Sequence, residues 1–176
     1  MAADINIYET CITRFTNETW RENCIWRESN EGIQSCIYNS PFTLPGSIGD
    51  LPNVFIIEMN ISSDSNRIIG VGLVKNRLLP TTHRVYSDNK YNFYTYKGKY
   101  RLSREDFTPE ENKRLEELER FLFKGYSHLK RGIGFSKLPK RLIHNPGKNK
   151  EKIEINNDYT NMFKKAFKRK VNSESI

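Results

Sequence analysis

The chain has 176 residues, of which 36% are hydrophobic, with a mean hydropathy of -0.72 and a formal net charge of +8. That length suits one core with decorations, and ten Phe and nine Tyr are more apolar material than a wholly disordered chain carries. No window approaches the ~20 apolar residues needed to span a bilayer and the N-terminal MAADINIYETC lacks a signal-peptide pattern, so a cytoplasmic or nuclear protein is expected. The charge is unevenly placed. Residues 1 to 123 hold 15 Lys+Arg against 17 Asp+Glu, net -2, whereas residues 124 to 176 hold 14 against 4, net +10. Such a block is the footprint expected of a phosphate-bearing partner, although an acidic protein surface or an anionic membrane would also attract it.

In chain order, FTNETWRENCIW (15 to 26) holds the only two tryptophans, Trp20 and Trp26, among polar residues. They are either core residues or flat plates for a planar ligand. Cys11, Cys24 and Cys36 are odd in number, spaced 13 and 12 apart, and match neither a zinc knuckle nor a CxxC pair, so reduced, mostly buried thiols are expected. FTLPGSIGDLPN (42 to 53), with two prolines and two glycines, reads as a loop or crossover. NVFIIEMN (53 to 60) and RIIGVGLVKN (67 to 76) read as two antiparallel strands, and Gly70 and Gly72 inside the second suggest a bulge, a corner or a close backbone approach. YNFYTYKGKYRLS (91 to 103) alternates aromatic and polar residues about Lys97-Gly98, as a hairpin or as one bent strand.

TPEENKRLEELERFLF opens with Thr108 as N-cap, Pro109 at the first helical position and Glu111 closing a capping box; Leu115, Leu118, Phe121 and Leu122 then share one apolar face. Residues 124 to 150 interleave cations with Tyr126, Phe135 and Leu138, and glycine-rich turns beside Lys130 and Arg131 suit an anion-binding nest as well as a basic surface loop. DYTNMFKKAFKRKVN (158 to 172) reads as a basic amphipathic helix with Tyr159, Met162, Phe163, Ala166 and Phe167 on one face. It can dock on its own core, enter a protein partner's groove, or lie on RNA or a membrane.

Catalytic patterns are sparse. His83, His128 and His144 have no i, i+4 pairing, and the chain lacks GxSxG, GxGxxG after a strand and a Walker loop. Asp50 and Glu58 flank a strand in the manner of a metal-dependent nuclease, but Met59 and Asn60 follow where an ExK element would stand. No cofactor and no metal site is expected.

CIWRESNEGIQSCIYNSP (24 to 41), VFIIEMNISSDSNRIIGVGLVKN (54 to 76) and YNFYTYKGKYRLSRED (91 to 106) follow one another in an order that resembles the YTH and EVE domains of the PUA-like superfamily, over about residues 5 to 106. The resemblance implies a small curved β-barrel flanked by helices, with a pocket for a single base, often methylated, turned out of a nucleic-acid strand. It sets Trp26 at a strand end as the first aromatic of the cage, Ile33 to Tyr38 as a short helix, and Ile69-Gly70-Val71 on the strand after the turn. The chain departs from the family twice: Arg27 follows the matching Trp where a small polar residue is usual, and Arg101-Leu102-Ser103-Arg104 stands where the family offers another Trp. An arginine in place of one wall is then expected to stack or to bind phosphate.

The sequence therefore leads to an α+β fold with a PUA-like (YTH/EVE-like) domain over 1 to 145 and a basic linker and amphipathic helix over 146 to 176. The expected function is non-catalytic binding of nucleic acid, RNA in the first instance. Trp26, Trp20, Tyr38, Asn23, Asn60 and Arg27 are the expected base-binding residues; Lys124, Lys130, Arg131, Lys137, Lys140 and Arg141 are the expected phosphate contacts. The alternatives are an assembly protein that binds nucleic acid indifferently through its basic tail, and a metal-dependent nuclease.

Overall fold

The computed structural model describes residues 8–62, 64–124, 128–143, 152–155 and 158–175. Tyr126, His144, most of the linker and the expected boundary at 145 lie outside the described residues.

At the centre runs β3 (Asn53–Asn60), every residue of which is buried. Its run of Val, Phe and Ile suits a strand covered on both faces. β3 pairs in parallel with β1 (Tyr8–Phe15) and antiparallel with β4 (Arg67–Lys75), with an irregularity at Glu58/Met59. β6 (Tyr100–Ser103) and the two-residue β7 (Ser136–Lys137) complete an open sheet in the order β6-β4-β3-β1-β7. Above it lies a separate antiparallel ladder of β2 (Cys36–Ser40) with β5 (Tyr94–Gly98); β8 (Arg141–Ile143) pairs with β9 (Lys152–Glu154).

The two expected strands at 53 to 60 and 67 to 76 are present, and the architecture is α+β. The expected barrel is not: no closed barrel forms among the described residues. The reason lies at Gly98, where the chain leaves the β2 ladder and enters the β4 ladder. The hydrogen bonds of 94 to 98 go to β2 and those of 100 to 103 go to β4, so the stretch is one bent strand shared by two sheets. Only a glycine fits at the corner, because a Cβ there would collide with the Leu73 carbonyl.

Residues 33 to 38 also differ from expectation. They form a turn and the start of β2, while both tryptophans lie on α1 (Asn17–Asn30), capped by Thr16 with Thr19. The core-facing residues of α1 are Asn23 and Arg27, so it has almost no apolar stripe for the helical period to reveal.

Strand alternation divides the interior into two layers. Phe55, Ile57 and Met59 face α2 (Pro109–Phe123) and α3 (Asp158–Glu174), whereas Val54 and Ile56 face β2, β5 and the 76–93 segment. The capping box of α2 forms as its sequence implies, with Glu111 N donating to Thr108 Oγ1 at 3.2 Å and Thr108 N donating to Glu111 Oε2 at 2.9 Å. α3, expected in a basic extension, places Phe163 and Phe167 against Phe55 and shares the core of the main sheet. Its apolar face is thus covered by its own protein. Each such side chain contributes about 1.5–3 kcal/mol by leaving water.

Candidate ligand pocket

Between the two ladders, the side of the central sheet opposite α2 and α3 carries polar side chains. Glu58 is 1% exposed and Arg101 9%. Arg101 Nε donates to both carboxylate oxygens at 3.0 and 2.8 Å, Nη2 lies 2.7 Å from Oε2, and the Tyr38 hydroxyl donates to Oε1 at 2.7 Å. A buried charge needs such full pairing to persist. Room for it comes from the glycine pair of β4. A Cβ at Gly70 would strike the Arg101 guanidinium, and one at Gly72 the Tyr38 hydroxyl. Burial, and then the neighbouring Glu58 carboxylate, push the Tyr38 phenol well above its ordinary pKa, so it stays a donor.

Tyr38 is also one wall of a cavity of about 260 Å³ at the end of β1 and the start of α1. Phe15, Tyr86 and Tyr91 are its other aromatic walls, and Tyr86 and Tyr91 meet edge to face at 6.2 Å. Both tyrosines come from the irregular 76–93 segment, which polar side chains hold in place. Asn92 accepts from the backbone N–H groups of Val85 and Tyr86 at 3.2 and 3.1 Å and donates to the Tyr86 carbonyl at 2.7 Å. Asn23 donates to the Tyr86 hydroxyl at 3.2 Å and to the Ile37 carbonyl at 2.8 Å. Burial pushes the Tyr86 phenol up as well.

The remaining lining is mostly neutral, with Thr13, Thr16, Thr19 and Asn39 among it, and carries two cations. Lys130, Gly132, Ile133 and Gly134 belong to it together with Arg14. Gly132 and Gly134 have φ of 124° and 82°, which only glycine adopts at low cost. Arg14 Nε donates to the Leu129 carbonyl at 2.6 Å and Nη2 to Ser136 Oγ at 2.8 Å, which pins the loop to β1. Its Nη1 is buried and has no partner among the described residues. Burial lowers the Arg14 pKa from its ordinary value.

Of the expected base-binding residues, only Tyr38 lines this cavity. Asn23 and Arg27 are each 1% exposed and hold the scaffold. Arg27 donates to Asn23 Oδ1 at 2.9 Å, to the carbonyls of Ile33 and Ser35 at 2.6 and 3.3 Å, and to Cys24 Sγ at 3.2 Å. Trp20 is half-buried, with the Arg27 and Arg101 guanidinium carbons 5.0 and 4.8 Å from its ring centre and Phe15 edge-on at 5.1 Å. Arg101 thus stacks on an indole, although not on one that forms a ligand wall. Trp26 meets His83 edge-on at 5.2 Å and Lys97 at 5.6 Å, outside the cavity lining. Asn60, 8% exposed, donates to Asn17 Oδ1 at 3.1 Å.

Among the expected phosphate contacts, Lys130 lines the cavity, Arg131 is exposed on the same loop, and Lys137 pairs with Glu9 at 2.9 Å. Lys124, at the end of α2, and Lys140 and Arg141 are exposed elsewhere. Phe15, Tyr86, Tyr91 and Arg14 were not anticipated. Two tyrosines five residues apart in a connecting segment were the available signal, since ordered loops often carry binding side chains.

Cys11 and Cys36 are buried, and burial pushes each thiol up to about 12. Glu58 is committed to Arg101 while Asp50 is exposed in the loop before β3. No group of three or more His, Cys, Asp or Glu suited to a metal occurs among the described residues, and no described helix is long and apolar enough to cross a membrane. No known family, curated protein or solved structure matches the chain.

Proposed function

We propose that this chain is a non-catalytic nucleic-acid-binding protein of the YTH/EVE-like, PUA-like kind, with RNA as its partner. One base, methylated bases included, turns out of the strand into the cavity, and the cationic loop holds the adjoining phosphates. The observation that carries the reading is the cavity itself: four aromatic walls beside a glycine-bearing loop with Lys130 and Arg131. An aromatic wall contributes about 1–3 kcal/mol per stacked base, and cations at the rim grip the backbone without reading sequence. Ile133 and Phe42, 57% and 59% exposed, stand at or beside the rim as platforms for flanking bases. The order of segments, which resembles that of YTH and EVE domains, supports the reading, with Phe15, Tyr86 and Tyr91 taking the roles expected of the tryptophans.

Trp20 touches Phe15 edge-on and serves as a built-in reporter. Titrating the full chain with short RNA strands carrying plain or N6-methylated adenine, at two salt concentrations, is expected to quench its fluorescence in a base-dependent way. Tyr91→Ala is expected to weaken the preferred strand by about 5- to 150-fold, the equivalent of ~1–3 kcal/mol. Lys130→Ala is expected to weaken all strands alike and to lower the salt slope by about one unit. Base-independent affinity that Tyr91→Ala leaves unchanged would remove the reader function. The second reading, an assembly protein that coats nucleic acid, is favoured by the exposed Lys124, Arg131 and Lys140 and would give that result.

A further inference from the structure

A box of aromatic side chains has two opposite uses. Its π-faces attract cations, as in sites for quaternary and methylated ammonium groups, and they also stack on neutral rings. Charge around the box decides between them. Among the described residues no carboxylate lines this cavity, whereas Arg14 and Lys130 do. Neither cation forms an ion pair with a described acid, and Arg14 keeps a buried Nη1 without a partner. Two acids stand behind the walls. Glu58 is neutralised by Arg101, and Glu22 accepts from the Ser87 backbone N–H at 3.0 Å. Two cations and no described carboxylate line the box, so a ligand anion at the rim finds charge-assisted partners in Lys130 and the half-buried Arg14. About 260 Å³ is just under the ~300–1,000 Å³ range of ligand pockets, which suits one ring system with its sugar and phosphate at the rim and excludes two stacked bases.

We propose that the cavity binds a ribonucleoside monophosphate as a self-sufficient ligand, free in solution as well as within a strand, and that it rejects rings carrying positive charge. The base lies among the four aromatic side chains and its own phosphate turns toward Lys130 and Arg14. This rests on the base-pocket reading above and adds to it the sign of charge that the ligand must have.

The test is calorimetric titration of the full chain with the four ribonucleoside 5′-monophosphates and the matching nucleosides. The best-binding parent is also compared with its ring-methylated cation: N1-methyladenosine, N7-methylguanosine or N3-methylcytidine monophosphate. At least one monophosphate is expected to bind about tenfold more tightly than its nucleoside, the scale of one charge-assisted contact. The cationic ring is expected to lose at least about tenfold relative to its neutral parent. Lys130→Ala is expected to bring the affinities of monophosphate and nucleoside close together, and Lys130→Arg to restore the phosphate advantage. Equal affinity for nucleoside and monophosphate, equal or better binding of the cationic ring, or no monophosphate binding up to about 1 mM would each overturn the proposal. If RNA strands still bind with a Tyr91-sensitive base preference in that event, only the charge rule has failed; if they do not, the reader function has failed with it.

Discussion

The two faces of the central sheet are built on opposite principles. The face toward α2 and α3 is an ordinary apolar core in which Phe55, Leu115, Leu118 and Phe163 are fully buried. The other face mixes Val54 and Ile56 with Glu58, Arg101, Asn23 and Arg27, and it holds its shape largely through directional bonds between side chains and backbone. Apolar packing tolerates small shifts of its parts, whereas a bonded polar network fixes positions. The cavity sits on the second face, where three walls depend on that network. Both faces contribute stability, and the bonded side chains of the second also fix the shape of the cavity.

The largest effects should separate these roles. Phe163→Ala is expected to cost about 3–5 kcal/mol in denaturant unfolding and to leave ligand preference unchanged wherever the protein is folded. Glu58→Gln leaves Arg101 buried without its counter-charge and is expected to cost a comparable ~3–5 kcal/mol, with the Tyr38 wall loosened and base discrimination reduced. The double substitution Glu58→Leu with Arg101→Met should recover most of that stability, because an apolar pair of similar volume replaces the ions. It should not recover discrimination, since the Tyr38 hydroxyl has lost its acceptor. Full recovery of both would mean that the network is only packing.

Intermediate effects probe how the 76–93 segment is held. Asn23→Ala removes the donor to Tyr86 and Ile37 and is expected to cost about 1–3 kcal/mol, with faster hydrogen exchange around Val85 and Tyr86. Gly72→Ala forces a methyl group onto the Tyr38 hydroxyl and is expected to cost about 1–3 kcal/mol through overpacking. An unchanged ligand profile in both variants would show that the walls do not need this support.

The smallest effect belongs to the edge of the helical face. Glu111 loses some solvation by burial, yet its bonds to Arg169 and Thr108 hold its pKa below the ordinary value; Asp106 is likewise lowered, against burial, by Lys170 and Ser103. Because the folded pKa lies below the unfolded one, the stabilisation is fully present above about pH 4–5 and is lost as pH falls through the folded value. Arg169→Ala is expected to cost about 0.2–1 kcal/mol at pH 7 and nearly nothing at pH 2. A cost that persists in acid would assign Arg169 a packing role.

This division also explains why removing residues 124 to 176 is a poor test of the basic region. α3 supplies Phe163 and Phe167 to the core, and Arg169 and Lys170 are paired with acids of the main body. Charge reversal at Lys130, Arg131 or Lys140 leaves that core alone.

Legibility followed the same line. α2, α3, β3 and β4 were readable because their apolar residues recur at helical or strand spacing, and the capping box of α2 is a local code. Gly70 and Gly72 were open to a bulge, a corner or a close backbone approach, and the groups that approach are chiefly the side chains of Arg101 and Tyr38. α1 was invisible because Trp20, Asn23 and Arg27 give no apolar stripe. The cavity walls were illegible for a related reason: the two indoles are the largest rings in the chain, yet Arg27 and Arg101 take one of them and His83 and Lys97 the other.

What the sequence alone determined is the set of elements whose pattern is periodic and the placement of positive charge in the last third. Tertiary structure alone decided which rings face a void, because Phe15, Tyr38, Tyr86 and Tyr91 meet only after a parallel crossover joins β1 to β3 and a polar-held loop folds back over β2. Such meetings depend on contacts many tens of residues apart, and side-chain spacing along the chain carries no record of them.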